Sequence, residues 1–239
     1  MALDQVKALG FDVFGTVVDW RSGIARQSAA FFEQHGIAID PWQFADEWRA
    51  LYQPAMERCR SGERPYVRLD ALHREMLLAA LQRRGIDPAR FDRAELDRLS
   101  LAWRQLDAWP DAVEGLQRLR KRFVVVPMSN GNIALLSHMA RHAGLPWDAI
   151  LGSEVTRAYK PEPTAYLGTA DVLGIAPDQL CLVAAHNDDL AAARGCGLAT
   201  AFVTRPTEHG PTQRIDLAPE QAWDATAGNL VELAERLGC

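Results

Sequence analysis

The chain has 239 residues, 48% of them hydrophobic and 24% charged, with a formal net charge of −5. That length and apolar share fit one large domain, or a core carrying a smaller insertion, and exclude a disordered chain. Both signs of charge are scattered, so no basic stripe marks a nucleic-acid surface, and no apolar run approaches the roughly 18–20 residues of a membrane span.

The N-terminus carries Asp4 and Lys7 without a long apolar segment, so it does not read as a signal peptide. Cys59, Cys181, Cys196 and Cys239 show no C-x-x-C spacing and no paired histidines at zinc-site intervals. Together these features predict a reduced, cytoplasmic protein.

Residues 6–11 form the first short apolar run. Such a run is too short for a free helix and does not alternate, which suits a strand buried on both faces. Asp12-Val13-Phe14-Gly15-Thr16 follows it. From about Ser22 to Leu106 the patterns are helical, with candidate helices at 23–35, 41–59, 66–84 and 92–103, punctuated by Gly36 and Ser61-Gly62. A stretch that long exceeds a simple crossover and predicts an inserted helical cap at 21–106.

Alternation then resumes. A helix at 111–121 places Val113, Leu116 and Leu119 on one face. A second apolar run at 123–128 leads into Ser129-Asn130-Gly131, and a helix at 132–143 follows. Lys160-Pro161 sits in a loop before a helix at 163–173, which opens on a proline suited to a first turn. Runs at 180–185 and 200–203 complete the strands, the former ending in His186-Asn187-Asp188-Asp189. The stretch 210–223 reads as a surface loop with no assigned role. The pattern predicts an α/β fold, a Rossmann-like doubly wound parallel sheet whose core spans 1–20 and 107–239.

In open α/β sheets ligands bind beyond the carboxyl ends of the strands. Four chain-distant loops deliver a carboxylate, a hydroxyl with an amide, a cation and an acid cluster to that edge. Each alone has a plain reading. Asp12 could form a turn or cap, Ser129 to Gly131 a turn, Lys160-Pro161 a surface loop, and Asp188-Asp189 a cap on the next helix. Together they read as one functional site that includes Asp12.

These segments resemble, in order and spacing, motifs I to IV of the haloacid dehalogenase superfamily. Phosphatases of that superfamily carry a second Asp two residues after the nucleophile, to protonate the leaving alkoxide. Phe14 stands there and cannot transfer a proton, whereas halide leaves without one. Trp48-Arg49, and Tyr166 six residues after Lys160, are similar to features of the L-2-haloacid dehalogenase branch.

The resemblance implies an (S)-2-haloacid dehalogenase that converts short 2-haloalkanoic acids and water to 2-hydroxy acids. The route is an aspartyl ester on Asp12, with inversion at C2. It implies that Lys160 pairs with Asp12, and that Asp189 places Lys160 and the hydrolytic water. Thr16, Ser129 and Asn130 are expected to hydrogen-bond the substrate carboxylate or the nucleophile. Arg49 and Asn130 are expected to stabilise the departing halide. Phe14 forms an apolar wall, and Val13, His186, Asn187 and Tyr166 complete the substrate and halide set. No cofactor and no metal are implied; a homodimer is.

Motif IV departs from the branch. Many relatives read Ser-Ser-Asn-x-Trp-Asp, against Ala184-Ala185-His186-Asn187-Asp188-Asp189 here. His186 could donate to halide, position water, or cap the sheet structurally. Asp188 and Asp189 also resemble the magnesium ligands of the phosphatase branch, with Asp12 able to complete the site. A Mg-dependent small-molecule phosphatase is therefore the alternative. A non-catalytic binding protein of this fold is the third reading, against which the joint presence of Asp12, Lys160 and Asp189 argues. Leu51, Gln53 and Tyr66 are candidates for shaping the pocket.

Overall fold

The computed structural model describes residues 3–239. Five parallel strands form one sheet in the order β2-β1-β3-β4-β5. They are β1 (Ala8–Phe11), β2 (Val124–Pro127), β3 (Leu180–Ala184), β4 (Ala199–Val203) and β5 (Ala225–Ala227). The four predicted runs are four of these strands, and β1, β3 and β4 are buried throughout, as a sheet covered on both faces requires. β5 was not foreseen; at the sheet edge its first two residues are half-buried and only Ala227 is buried.

Helices α1 (Trp20–Gln34), α2 (Pro41–Ala50), α3 (Tyr52–Arg60), α4 (Leu69–Arg83) and α5 (Arg93–Ser100) lie between β1 and β2 in the chain. Asp19 starts α1 by accepting from the Ser22 amide, and Asp40 caps α2 ahead of Pro41. A capping box of Asp92 and Glu95 starts α5. The single helix expected over 41–59 is two helices broken at Leu51. Pro54 explains the break: it has no amide to reach the carbonyl of Ala50 and its ring crowds that oxygen. The break matters because Arg49 sits on the last turn of α2, just ahead of it.

The sheet is covered by α6 (Ala112–Leu119), α7 (Ile133–Ala143), the single-turn α8 (Ser153–Thr156), α9 (Pro163–Leu173), α10 (Asn187–Gly195) and α11 (Leu230–Arg236). α7 and α9 end on Gly144 and Gly174, both in the left-handed region. A partly buried ion pair, Arg205 to Asp111 at 2.7 Å, ties the segment after β4 to the start of α6. No helix among the described residues is long and apolar enough to cross a membrane.

Candidate active site

β1 stops at Phe11, so Asp12 is the first residue past the carboxyl end of a central strand. Its amide still donates to Val183 of β3 at 3.0 Å, which fixes the backbone under the side chain. Thr16 donates its hydroxyl to Asp12 Oδ2 at 2.8 Å and accepts from the Ala185 amide at 2.9 Å. The Lys160 ammonium lies 2.9 Å from Asp12 Oδ1 and also pairs with Asp189. His186 Nδ1 lies 3.3 Å from Asp12 Oδ2.

Burial alone would raise the Asp12 carboxyl. The charges of Lys160 and His186 override it and hold the group far below the usual carboxylate range. Lys160 is pushed up despite burial, by Asp12 and Asp189 together. Asp12 is thus an ionised carboxylate at the wall of a cavity of about 380 Å³.

Of the residues predicted to act, Asp12, Phe14, Arg49, Asn130, Lys160, Tyr166, His186 and Asp189 line that cavity. Asn130 accepts the Lys160 amide at 2.7 Å, fixing the loop that carries the cation. Tyr166 donates to Asp189 Oδ1 at 2.7 Å, so both oxygens of Asp189 are engaged. Phe14 is an apolar wall, packed edge-on against Trp103, Tyr52 and His73 at centroid distances of 6.0, 6.4 and 6.2 Å.

Three expectations need correction. Asn187 does not face the cavity: its amide donates to Asp216 and Ala218, and its oxygen accepts from Glu220 and Trp223. As the first residue of α10 it turns away from the strand edge and clamps the following loop. Val13 is wholly buried in the hydrophobic core and does not line the cavity. Ser129 lies outside the cavity, its hydroxyl accepting from the Gly131 amide at 3.1 Å. Thr16 also stands outside the cavity but bonds the nucleophile, one of the two roles expected of it.

The stretch 210–223, read as an unassigned surface loop, supplies Ile215 and Asp216 to the cavity wall. Asp188 and Asp189 diverge: Asp188 is exposed and accepts from the Asp189 amide, while Asp189 turns inward to Lys160. Among the described residues, His186, Glu208 and His209 are the group spaced for a single cation. The Glu208 oxygens are already shared between His186 and Trp20, so we assign that group no ion.

Several partners were not foreseen. The Arg49 guanidinium sits in an aromatic box, 4.0 Å from the Tyr52 ring centroid, 5.2 Å from Trp20, 5.7 Å from Phe14 and 5.9 Å from Trp103. Its buried Nη1 has no hydrogen-bond partner. His73 stacks on Trp103 at 4.5 Å with both ring nitrogens unpartnered. Burial, with Arg49 adding to it, drives the His73 pKa well down, so the ring is neutral. Glu208, on the segment after β4, accepts from His186 Nε2 at 2.9 Å and from Trp20 Nε1 at 2.9 Å. The rule that found the other loops, looking past each strand end, reaches Glu208 when applied to β4.

The profile of the haloacid dehalogenase-like hydrolases matches residues 6–197. The solved structure of the defluorinating L-2-haloacid dehalogenase Rha0230 is 52% identical, covers 98% of this chain and 96% of its own, and superposes with a TM-score of 0.97. The L-2-haloacid dehalogenase PA0810 is 44% identical over 98% of this chain and 99% of its own, with a TM-score of 0.93. (S)-2-haloacid dehalogenase 4A of Burkholderia cepacia is 28% identical, covering 97% of this chain and all of its own. The chain belongs to the haloacid dehalogenase-like hydrolase family and, within it, to the L-2-haloacid dehalogenase branch.

Proposed function

We propose that the protein hydrolyses short 2-haloalkanoic acids to 2-hydroxy acids through an ester on Asp12. One observation carries this reading: a buried, ionised carboxylate faces a small cavity whose wall also carries an arginine in an aromatic box with its Nη1 unpartnered, with no acid at position 14. A cavity of about 380 Å³ suits a small acid.

Asp12 attacks C2 in line and expels halide. Lys160 keeps the nucleophile ionised and oriented, and Asp189, held by Tyr166, restrains Lys160. Arg49 Nη1 supplies charge and a donor where halide charge develops, and the aromatic walls keep that donor poorly solvated. Water then attacks the Asp12 carbonyl and releases the hydroxy acid. The helices of residues 21–106 act as the cap that screens the site, contributing Arg49, Tyr52 and Gln53 to its wall. Four free cysteines suit a reducing, cytoplasmic setting.

The test is halide release from L-2-chloropropionate with EDTA present, beside a phosphatase screen with added Mg²⁺. Halide release is expected in the first. Its absence, together with Mg²⁺-dependent phosphate release, overturns the reading. Asp12→Asn is expected to lower halide release by at least about 10³-fold, because a neutral amide is a poor nucleophile; retained turnover, with deamidation excluded by mass spectrometry, removes Asp12 from the mechanism.

A further inference from the structure

We infer that His186, held by Glu208, takes the proton from the water that hydrolyses the Asp12 ester, so that the second half-reaction runs on a carboxylate–histidine pair. The inference rests on the proposed ester chemistry and names the base that chemistry needs.

The geometry is that of an oriented base. His186 Nε2 points at the Glu208 carboxylate at 2.9 Å, and Nδ1 points at Asp12 at 3.3 Å. Glu208 is almost wholly buried and is fixed from the other side by Trp20 Nε1. The remaining acid next to the nucleophile is Asp189, whose two oxygens are occupied by Lys160 and Tyr166. His186 lines the cavity and keeps 18% of its side chain exposed, so water can reach it.

Charge makes the ring a base at the right stage. In the resting site two anions, Asp12 and Glu208, face His186. They overcome its burial and raise its pKa well above the ordinary value, so the ring is an imidazolium. Lys160 and Asp189 stand one contact further off, beyond Asp12, and His209 beyond Glu208. Arg49, Asp188 and Asp216 lie elsewhere on the cavity wall. Alkylation neutralises Asp12, so one of the two anions holding the proton is gone and the ring's pKa falls; in this assignment the ring passes that proton to solvent at this stage. Glu208 still orients Nε2–H, which leaves the Nδ1 lone pair toward the ester.

The step balances. Water adds to Asp12 Cγ while Nδ1 takes its proton. The tetrahedral adduct then breaks its Cγ–O bond to the substrate, whose alkoxide oxygen takes the remaining hydroxyl proton. The products are the hydroxy acid, the Asp12 carboxylate and the His186 imidazolium, which is the resting state. Each turnover yields one halide and one proton.

The test is His186→Gln, which retains a donor for Glu208 but cannot accept the proton. With L-2-chloropropionate under rapid mixing, the variant is expected to release a burst of one halide per active site and then stall at least about 100-fold below the wild-type rate. Mass spectrometry is expected to find the propanoate ester on the peptide carrying Asp12. Wild-type steady-state turnover in the variant overturns the inference; so does loss of the burst, which places His186 in halide displacement.

Two further measurements stand if that variant does not fold. In wild-type single turnovers, ester hydrolysis is expected to slow as pH falls and in D₂O, with halide release indifferent to both. In Glu208→Gln the acid limb of the hydrolysis phase is expected to move to lower pH, since the anion that raises the ring's pKa is gone. A hydrolysis phase flat with pH, or a limb unmoved in Glu208→Gln, overturns the assignment. No halide release from the wild-type protein would instead overturn the ester chemistry itself.

Discussion

Replacing Lys160 with Met isolates the electrostatics of the site from its chemistry. The ammonium is buried, 2.9 Å from Asp12 Oδ1, and bonded also to Asp189. At an effective dielectric constant of about 20, the Asp12 contact alone carries a gross attraction of about 6 kcal/mol. Desolvation of the cation offsets part of this, and removing one partner of a buried pair costs about 3–5 kcal/mol net. Methionine preserves most of the stem packing, so the loss comes from two carboxylates left facing each other. In urea at pH 7 the midpoint is expected to fall by about 1–2 M.

The sign with pH is fixed by Asp12, whose folded pKa lies below the unfolded one. Its stabilisation is present above about pH 4 and is lost as pH falls through the folded pKa. The gap between wild type and Lys160→Met must therefore close below about pH 4. A midpoint unchanged at pH 7, or a gap that keeps its full size well below about pH 4, would refute the account of Lys160 as the group that holds the buried Asp12 carboxylate ionised.

Other expectations follow from single contacts. Arg49→Lys keeps the charge but not the planar stack on Tyr52, and halide-release assays are expected to show kcat/KM lower by about 10²–10³-fold. A value near wild type would break the halide assignment. Asn187→Ala orphans the Trp223 indole and the Glu220 amide and is expected to cost about 1–3 kcal/mol in thermal or urea unfolding, despite its place in motif IV. His73 is neutral when folded and ionisable when unfolded, so stability should decline as pH falls below about 6.5, by up to about 1.4 kcal/mol per pH unit. That slope should be absent in His73→Phe; the same slope in the variant would place the acid sensitivity elsewhere.

What could be read from the sequence divides along a physical line. Strands buried on both faces write themselves as unbroken apolar runs, so β1, β3 and β4 were legible, as was β2, whose run is apolar although Val124 is exposed, and with them the loops beyond. β5 was not, because Ala225–Ala227 is three residues long at an edge. Asp12, Lys160 and Asp189 were legible by type and position. The Arg49 environment was not, because Trp20, Tyr52, His73 and Trp103 come from four separate segments and meet only after packing. Asn187 was misjudged because a place in a motif does not fix which way a side chain turns at the first residue of a helix. Glu208 carried a signal, its place after β4, but no neighbouring residue drew attention to it.

Gly15 has φ +90°, and an added Cβ there would fall 2.0 Å from Glu208 Oε1 and 2.2 Å from its carboxyl carbon. The space beside the nucleophile loop that a side chain would fill is taken by the group that orients His186. The glycine is thus required twice over, by its own backbone angle and by the carboxylate packed against it. A side chain at position 15 would push Glu208 off His186, so the shape of the nucleophile loop reaches as far as the orientation of a ring on another stretch of chain.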